Sequence, residues 1–132
     1  MTITEVSNMF NISVDTLRYY ERIGLLPPVK RNSSGYREYS EQDCNWVFFV
    51  KNMRNAGISV EALVEYVNLF QQGDSTIPSR KAILMEQREV LEKRAQEILS
   101  TLDRLDKKIE VYEEHIVKFE QKLQQEPDPA IR

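Results

Sequence analysis

The feature that most constrains the fold of this chain is a run without glycine or proline over residues 79–124. Large apolar residues recur along this run at heptad spacing, which is typical of a coiled coil. The d positions are Leu84, Leu91, Ile98, Leu105, Tyr112 and Phe119, and the a positions are Ala95, Leu102, Ile109, Ile116 and Leu123. A helix through these heptads is on the order of 60 Å long, and the rest of a 132-residue chain cannot cover its stripe. The run therefore predicts a coiled-coil helix that pairs with a second copy of the chain.

Capping residues divide the first 70 residues into four shorter predicted helices. These cover residues 2–10, 14–22, 40–56 and 59–70, and their capping residues are Thr2, Ser13, Ser40 and Ser59. Gly24 and the pair Pro27-Pro28 end the second helix. The first two helices are separated by about three residues, which is the spacing of a helix-turn-helix motif.

Residues 29–39 predict a small β-hairpin, because the turn-forming residues 32–35 separate two short segments that contain basic and aromatic residues. The predicted fold class is therefore mainly α. A winged helix-turn-helix domain with two accessory helices is expected over residues 1–70. A linker at 71–78, a coiled-coil dimerisation helix at 79–124 and a disordered tail at 125–132 follow it.

The net charge of −3 is unevenly distributed along the chain. Residues 1–57 hold seven Lys/Arg and six Asp/Glu, a balance of +1, whereas residues 58–132 hold eleven and fifteen, a balance of −4. Because affinity for phosphate depends on local charge, a basic face on the N-terminal half is compatible with nucleic-acid binding.

The second helix of a helix-turn-helix motif enters the major groove of DNA. Its outward-facing candidates here are Thr16, Arg18, Tyr19 and Arg22, and the hairpin adds Lys30, Arg31, Tyr36 and Arg37. Arginine contacts guanine or phosphate, while Thr and Tyr contact phosphate or a thymine methyl group. Arg54 is a further candidate phosphate contact. The alternative is that Arg18 and Arg22 form surface ion pairs with Asp15 or Glu21.

Three segments, taken in order, resemble the MerR family of bacterial transcription regulators. They are TLRYYERIGLLPP at 16–28, SGYREYS at 34–40 and RNAGISVEAL at 54–63. The resemblance implies a winged helix-turn-helix homodimer that binds a near-palindromic promoter. It also implies that six residues face double-stranded DNA, namely Thr16, Arg18, Tyr19, Tyr36, Arg37 and Tyr39. In this family an effector makes the bound dimer bend and untwist the DNA, so that RNA polymerase is affected indirectly, through the promoter.

EALVEY at 61–66 and RKAIL at 80–84 resemble a short branch of that family that responds to aldehydes or related electrophiles. The branch implies a reactive cysteine within the segment matching 49–54, where this chain has Asn52 instead. The single cysteine, Cys44, is a candidate thiol sensor. A packing role is the alternative, because the neighbouring acids Glu41 and Asp43 would raise its pKa.

With one cysteine and one histidine, His115, the chain lacks the ligands for a thiolate metal site or an iron–sulfur cluster. We therefore expect no metal and no cofactor, and the effector is unidentified. Trp46, Phe48 and Phe49 fit either core packing or an aromatic ligand pocket.

Several other functional classes are disfavoured by the sequence. We expect no enzyme, because no nucleophile–base pair or phosphate-binding glycine loop is evident. The sequence contains no run of ~18 apolar residues and no basic, apolar leader, so no membrane association is predicted and a cytoplasmic location is expected. The alternative function is a coiled-coil protein-interaction module that does not bind DNA.

Overall fold

The chain folds mainly into helices in the computed structural model, which describes residues 1–125. The helices are α1 (Ile3–Phe10), α2 (Val14–Arg22), α3 (Glu41–Asn55), α4 (Val60–Gln71) and α5 (Ile77–Gln125), with a short 3-10 helix at Asp74–Thr76. The predicted fold class is confirmed: a helix-turn-helix precedes one long helix. Within residues 1–125, no helix combines the length and the apolar character needed to cross a membrane.

The predicted capping residues begin each of the first four helices. Thr2 and Glu5 form a reciprocal capping box at α1, and Ser40 and Asp43 form another at α3. Ser13 accepts a hydrogen bond from the amide of Thr16, and Ser59 caps α4 in the same way. These caps satisfy amide groups that have no partner within the helix, so the helix starts follow directly from local sequence.

The core of the first four helices is formed by apolar residues from every element of this region. Its members are Val6, Leu17, Leu25, Leu26, Val29, Tyr39, Val47, Val50, Ile58 and Leu63. Leu17 on α2 is fully buried, so the opposite face of that helix is turned towards solvent. The core therefore determines which side chains α2 exposes.

The segment predicted as a β-hairpin is a loop with a single bridge, between Arg31 and Arg37. The prediction of two strands is wrong for this part of the chain, since no strand forms within residues 1–125. The turn itself is present, because Asn32 Oδ1 accepts hydrogen bonds from the amides of Ser34 and Tyr36, both at 3.0 Å. Gly35 adopts a φ of 85°, a backbone conformation that glycine favours. We call residues 30–37 the wing.

The predicted linker is an ordered junction. Thr76 in the 3-10 helix is 8% exposed, and its hydroxyl lies 2.6 Å from the carbonyl oxygen of Leu69 and 2.7 Å from that of Gly73. Arg80 lies over the ring of Phe70, 5.4 Å from its centroid. The long helix begins at Ile77, two residues before the predicted start. Pro78 is tolerated in its first turn because the backbone N–H groups there have no hydrogen-bond partner within the helix, so the N–H that proline lacks is not needed.

The chain divides into a first compact unit, Met1–Leu91, and a second unit that begins at Glu92. The sequence predicted a division at residues 71–78, but Leu91 is half-buried and packs against the core of the first unit. At the other end of α5, Gln125 is helical, although it was predicted to begin the disordered tail. The rest of that predicted tail, residues 126–132, lies outside the described residues.

The second unit carries its apolar side chains on the surface. From residue 98 onwards every described large a and d residue is at least half exposed, from 50% at Leu102 to 63% at Phe119. Ala95, the small residue of the a series, is exposed as well. A contiguous, exposed apolar stripe of this length marks an interaction surface.

Candidate nucleic-acid interface

The exposed face of α2 carries three of the four predicted contact residues. Arg18 and Arg22 are exposed, and the side chain of Tyr19 is 44% exposed. The guanidinium of Arg22 lies 5.3 Å from the centroid of the Tyr19 ring, which orders both side chains through a cation–π contact. Thr16 is half-buried, and its hydroxyl oxygen accepts a hydrogen bond from Ser13 at 2.7 Å.

The alternative role for Arg18 as a surface ion-pair partner is partly realised. Its Nη1 atom lies 3.6 Å from Asp15 Oδ1, with the two side chains 54% and 95% exposed. Pairs as exposed as this contribute at most about 1 kcal/mol and are screened by salt. Arg18 can therefore leave Asp15 for a phosphate at little cost.

The wing presents further cations and an aromatic ring. Lys30 and Arg31 are exposed, and the side chain of Tyr36 is 73% exposed. Arg31 donates from Nη1 to the carbonyl oxygen of Gly35 at 2.8 Å, which stiffens the turn. We call Arg18, Arg22, Lys30 and Arg31 the basic surface.

Arg37 connects the wing to α2. Its Nε atom lies 2.7 Å from Glu21 Oε1, and the two side chains are only 19% and 18% exposed. The sequence did not predict this contact, because the two residues are 16 positions apart and their charges permit several other pairings. The sequence also allows Glu21 to pair with Arg18 or Arg22, but the structure pairs it with Arg37.

Tyr39 does not lie on the surface predicted for it. Its side chain is 2% exposed, and its hydroxyl has no hydrogen-bond partner among the described residues. Burial raises the pKa of this phenol; the charge of Arg37 opposes that effect, and the charge of Glu21 adds to it, each by less than burial does. The family resemblance placed Tyr39 against DNA, whereas in this structure its ring belongs to the core.

Arg54 stabilises the end of α3. Its Nη1 atom donates to the carbonyl oxygen of Ile58 at 2.7 Å, which fixes the turn at Gly57. The half-buried side chain has a local structural role that the sequence did not indicate, and its predicted phosphate contact stays a prediction.

Cys44 is half-buried near the start of α3, with its Sγ atom 3.9 Å from Met1 Sδ. Burial raises the pKa of this thiol; the chain's amino group opposes the effect, and Asp43 and Glu41 add to it. A raised pKa leaves the thiol protonated at neutral pH and makes it a poor nucleophile. Within residues 1–125, no group of three or more His, Cys, Asp or Glu side chains is arranged to hold a metal ion.

The aromatic residues of α3 take two different positions. Trp46 packs edge-on against Phe70, with ring centroids 4.9 Å apart, and against Phe49 at 5.9 Å. Together with Tyr66 these rings line an open groove of about 330 Å³ on the first unit. Phe48 instead lies outside the core, with its side chain 58% exposed and its ring 6.4 Å from that of Phe10.

Helix α2, the wing and the ion pair between them define a helix-turn-helix protein with an adjoining wing. Comparison with known proteins identifies its family. The family model for MerR HTH family regulatory proteins matches residues 1–69, and the model described as MerR, DNA binding, matches residues 45–108. The chain belongs to the MerR HTH family of regulatory proteins.

Individual relatives resemble the chain over most of its length. The HTH-type transcriptional regulator AdhR of Bacillus subtilis is 54% identical over 91 residues, which is 69% of this chain and 65% of AdhR, slightly less than two thirds of that relative. A MerR family regulator from Listeria monocytogenes has a structure with a TM-score of 0.90 and 42% identity, covering 95% of each chain. HiNmlR, a MerR family regulator lacking the sensor domain and solved bound to promoter DNA, has a TM-score of 0.80 and 28% identity, covering 88% of this chain and 92% of that one.

Proposed function

We propose that this protein is a transcriptional regulator that binds duplex DNA as a homodimer. Helix α2 would enter the major groove, and the wing would lie along the neighbouring phosphates. The observation that carries the proposal is the exposed basic surface of Arg18, Arg22, Lys30 and Arg31 on two elements that one ion pair joins. A structural neighbour solved on promoter DNA supports the same arrangement.

Dimerisation is supported by the stripe on α5. Leu105 and Ile109 are 51% and 54% exposed, and residues at heptad spacing on either side are exposed to a similar degree. Burial of apolar surface is worth about 25 cal/mol per Å², so pairing of two such helices is strongly favoured. A two-fold symmetric dimer presents two copies of α2 and therefore reads a near-palindromic site. The heptads do not decide whether the two helices run parallel or antiparallel.

Regulation would act through the shape of the DNA. We propose that an unidentified effector favours a state of the dimer that bends and untwists the promoter, which changes its fit to RNA polymerase without a direct contact. Such an effector must bind the distorting state more tightly than the relaxed state, since otherwise it shifts no equilibrium. A protein that acts on promoter DNA in a bacterial cell works in the cytoplasm.

An electrophile remains the proposed class of effector, on the resemblance of residues 61–66 and 80–84 to the aldehyde-responsive branch. Two observations argue that Cys44 is not the group that reacts. Its thiol has a raised pKa, and Cys44 lies outside residues 49–54, where that branch implies a cysteine and this chain has exposed Asn52.

Salt-dependent binding tests the proposal. A duplex is selected from a random-sequence pool by the native protein, and affinities are then measured by fluorescence anisotropy between about 50 and about 200 mM salt. Arg18→Ala and Arg22→Ala should each weaken binding and each reduce the slope of log K against log salt by about one unit. Lys107→Ala is the control, because Lys107 lies on α5 and pairs with Asp103 at 3.0 Å.

The outcomes separate two functional classes. If the native protein selects no duplex and shows no salt-sensitive affinity, the protein is a coiled-coil interaction module and the proposal is wrong. Equal effects of Arg18→Ala and Lys107→Ala would also contradict it, because net charge and not the basic surface would then govern affinity.

A further inference from the structure

We propose that Arg37 is a positioning residue that holds the wing against α2 through Glu21 and makes no phosphate contact itself. The family resemblance implies that Arg37 faces DNA, whereas in the structure its side chain is paired with Glu21. The inference rests on the proposed DNA binding and concerns how the basic surface is held in place.

Burial distinguishes this ion pair from the exposed pairs Arg18–Asp15 and Lys107–Asp103. Arg37 and Glu21 are 19% and 18% exposed and meet at 2.7 Å. Lys107 and Asp103 meet at 3.0 Å with side chains 73% and 63% exposed. Water and salt weaken an exposed pair but act much less on a shielded one. The contact between Arg37 and Glu21 therefore constrains geometry more than these exposed pairs do.

The wing needs such a constraint because it lacks a sheet. A single bridge, Arg31 to Arg37, joins its two arms, and the hydrogen bonds of the turn at Asn32 lie within the wing itself. Buried Val29 and Tyr39 hold the two ends of the wing in the core, and Tyr39 exchanges backbone hydrogen bonds with Met1. None of these hydrogen bonds is made to α2. Arg37 makes that connection, because its guanidinium reaches α2 one residue before the helix ends at Arg22.

Burial also limits what Arg37 can offer to DNA. A guanidinium has five N–H donors and can hold a carboxylate and a phosphate together, but a phosphate reaches those donors only where the side chain is open to solvent. The side chain of Arg18 is 54% exposed and meets that condition. The side chain of Arg37 is 19% exposed and is held against Glu21, so it is poorly placed for a phosphate.

Glu21→Gln separates the two roles, because they predict opposite signs. If Arg37 contacts phosphate, removing the competing negative charge of Glu21 frees the guanidinium and binding tightens. If Arg37 positions the wing, the same change loosens the wing and binding weakens. The substitution changes one atom of the side chain and preserves its shape, so the fold should tolerate it.

The experiment measures affinity for the selected duplex with the full chain, using Glu21→Gln, Arg37→Met and the double variant. Each single change should weaken binding about tenfold, and the double variant should be no more than about twofold weaker than either, as expected for two groups that act as one unit. The salt slope of Arg37→Met should equal that of the native protein, whereas loss of a phosphate contact reduces it by about 0.9. Arg18→Ala is the matched control that does reduce the slope.

Further measurements keep the outcomes distinct. Arg37→Lys keeps the positive charge and should recover affinity when Glu21 is present but not beside Glu21→Gln. Circular dichroism and sedimentation verify that each variant is helical and dimeric, and if Arg37→Met unfolds, Glu21→Gln decides alone. Tighter binding by Glu21→Gln, or a reduced slope for Arg37→Met, overturns the positioning role while the native protein still binds DNA. Failure of the native protein to bind any duplex would instead reject the proposed function.

Discussion

Arg80 donates a hydrogen bond from Nε to the hydroxyl oxygen of Thr76 at 3.1 Å, and this contact fixes the first turn of α5 at the end of α4. Thr76 in turn reaches the carbonyl oxygens of Leu69 and Gly73, and Arg80 covers the ring of Phe70. The junction between the shorter helices and α5 is therefore defined by side chains as well as by the backbone.

Thr76→Val should lower the free energy of unfolding by about 1–3 kcal/mol, because the charged Arg80 guanidinium loses an acceptor and the single hydroxyl proton no longer reaches a carbonyl oxygen, while the shape of the residue is preserved. Urea unfolding of the full chain measures the change. Thr101→Val is the matched control, since the Thr101 hydroxyl donates to the carbonyl oxygen of Glu97 at 3.0 Å on an exposed part of α5. That control should change stability by less than about 0.5 kcal/mol. Equal losses in the two variants would show that burial at the junction has no special effect.

Tyr39→Phe should leave the affinity for DNA unchanged and should preserve or slightly raise stability. The phenol oxygen is buried without a described partner, so its removal deletes an unsatisfied polar group and keeps the ring in the core. Anisotropy with the selected duplex and thermal unfolding provide the two measurements. Tyr36→Phe is the comparison, because Tyr36 is 73% exposed on the wing and its hydroxyl is available to phosphate. A loss of affinity in Tyr39→Phe but not in Tyr36→Phe would indicate that the Tyr39 hydroxyl contacts DNA, which would contradict this prediction.

Ile109→Asp should convert the dimer to a monomer, because it places a charge in the apolar seam that the heptads predict. Val111→Asp should leave the dimer intact, since residue 111 falls outside both heptad series. The two side chains are equally accessible in the single chain, 54% and 56% exposed, so exposure alone does not distinguish them. Sedimentation equilibrium at micromolar concentration gives the result. Dissociation by both variants, or by neither, would contradict the predicted seam.

Cys44 should be alkylated more slowly in the folded protein than in urea at any pH near neutrality. Burial raises the pKa of the thiol, so less of it is present as thiolate in the folded state. Because the unfolded chain loses this proton at a lower pH than the folded chain does, the thiol makes stability fall as pH rises through the range of an ordinary cysteine. Iodoacetamide labelling followed by mass spectrometry provides the rates.

The same reasoning gives a cellular prediction for this thiol. Cys44→Ser should leave the response to the effector intact, measured with a reporter gene placed behind the promoter that the native protein occupies. Loss of induction, with DNA binding retained, would establish Cys44 as the sensor.

The features that the sequence predicted correctly depend on neighbours within a few residues. Ser40 and Asp43 are three positions apart and form their capping box without help from the rest of the fold. Gly24 ends the helix-turn-helix with a φ of 85°, as a glycine after a helix commonly does. The long helix likewise follows from a run without glycine or proline over residues 79–124.

The features that the sequence missed depend on residues that meet only after folding. Tyr39 and Tyr36 carry the same side chain three positions apart, yet one is 2% and the other 73% exposed. Charge alone did not show that Glu21 would pair with Arg37 in preference to Arg18 or Arg22. The wing was predicted as two strands because its residue types favour extended backbone, but only one bridge forms between its arms.

Every side chain proposed to touch the duplex belongs to the first compact unit, whereas most of the predicted seam belongs to the second. The proposed recognition of DNA and the predicted dimerisation are thus assigned to separate parts of the chain. A chimera in which the in-phase heptads of another regulator replace α5 beyond Leu91 should bind the same DNA half-site. It should also dimerise with a different partner. Substitutions in such proteins can therefore change the DNA site and the dimerisation partner independently of each other.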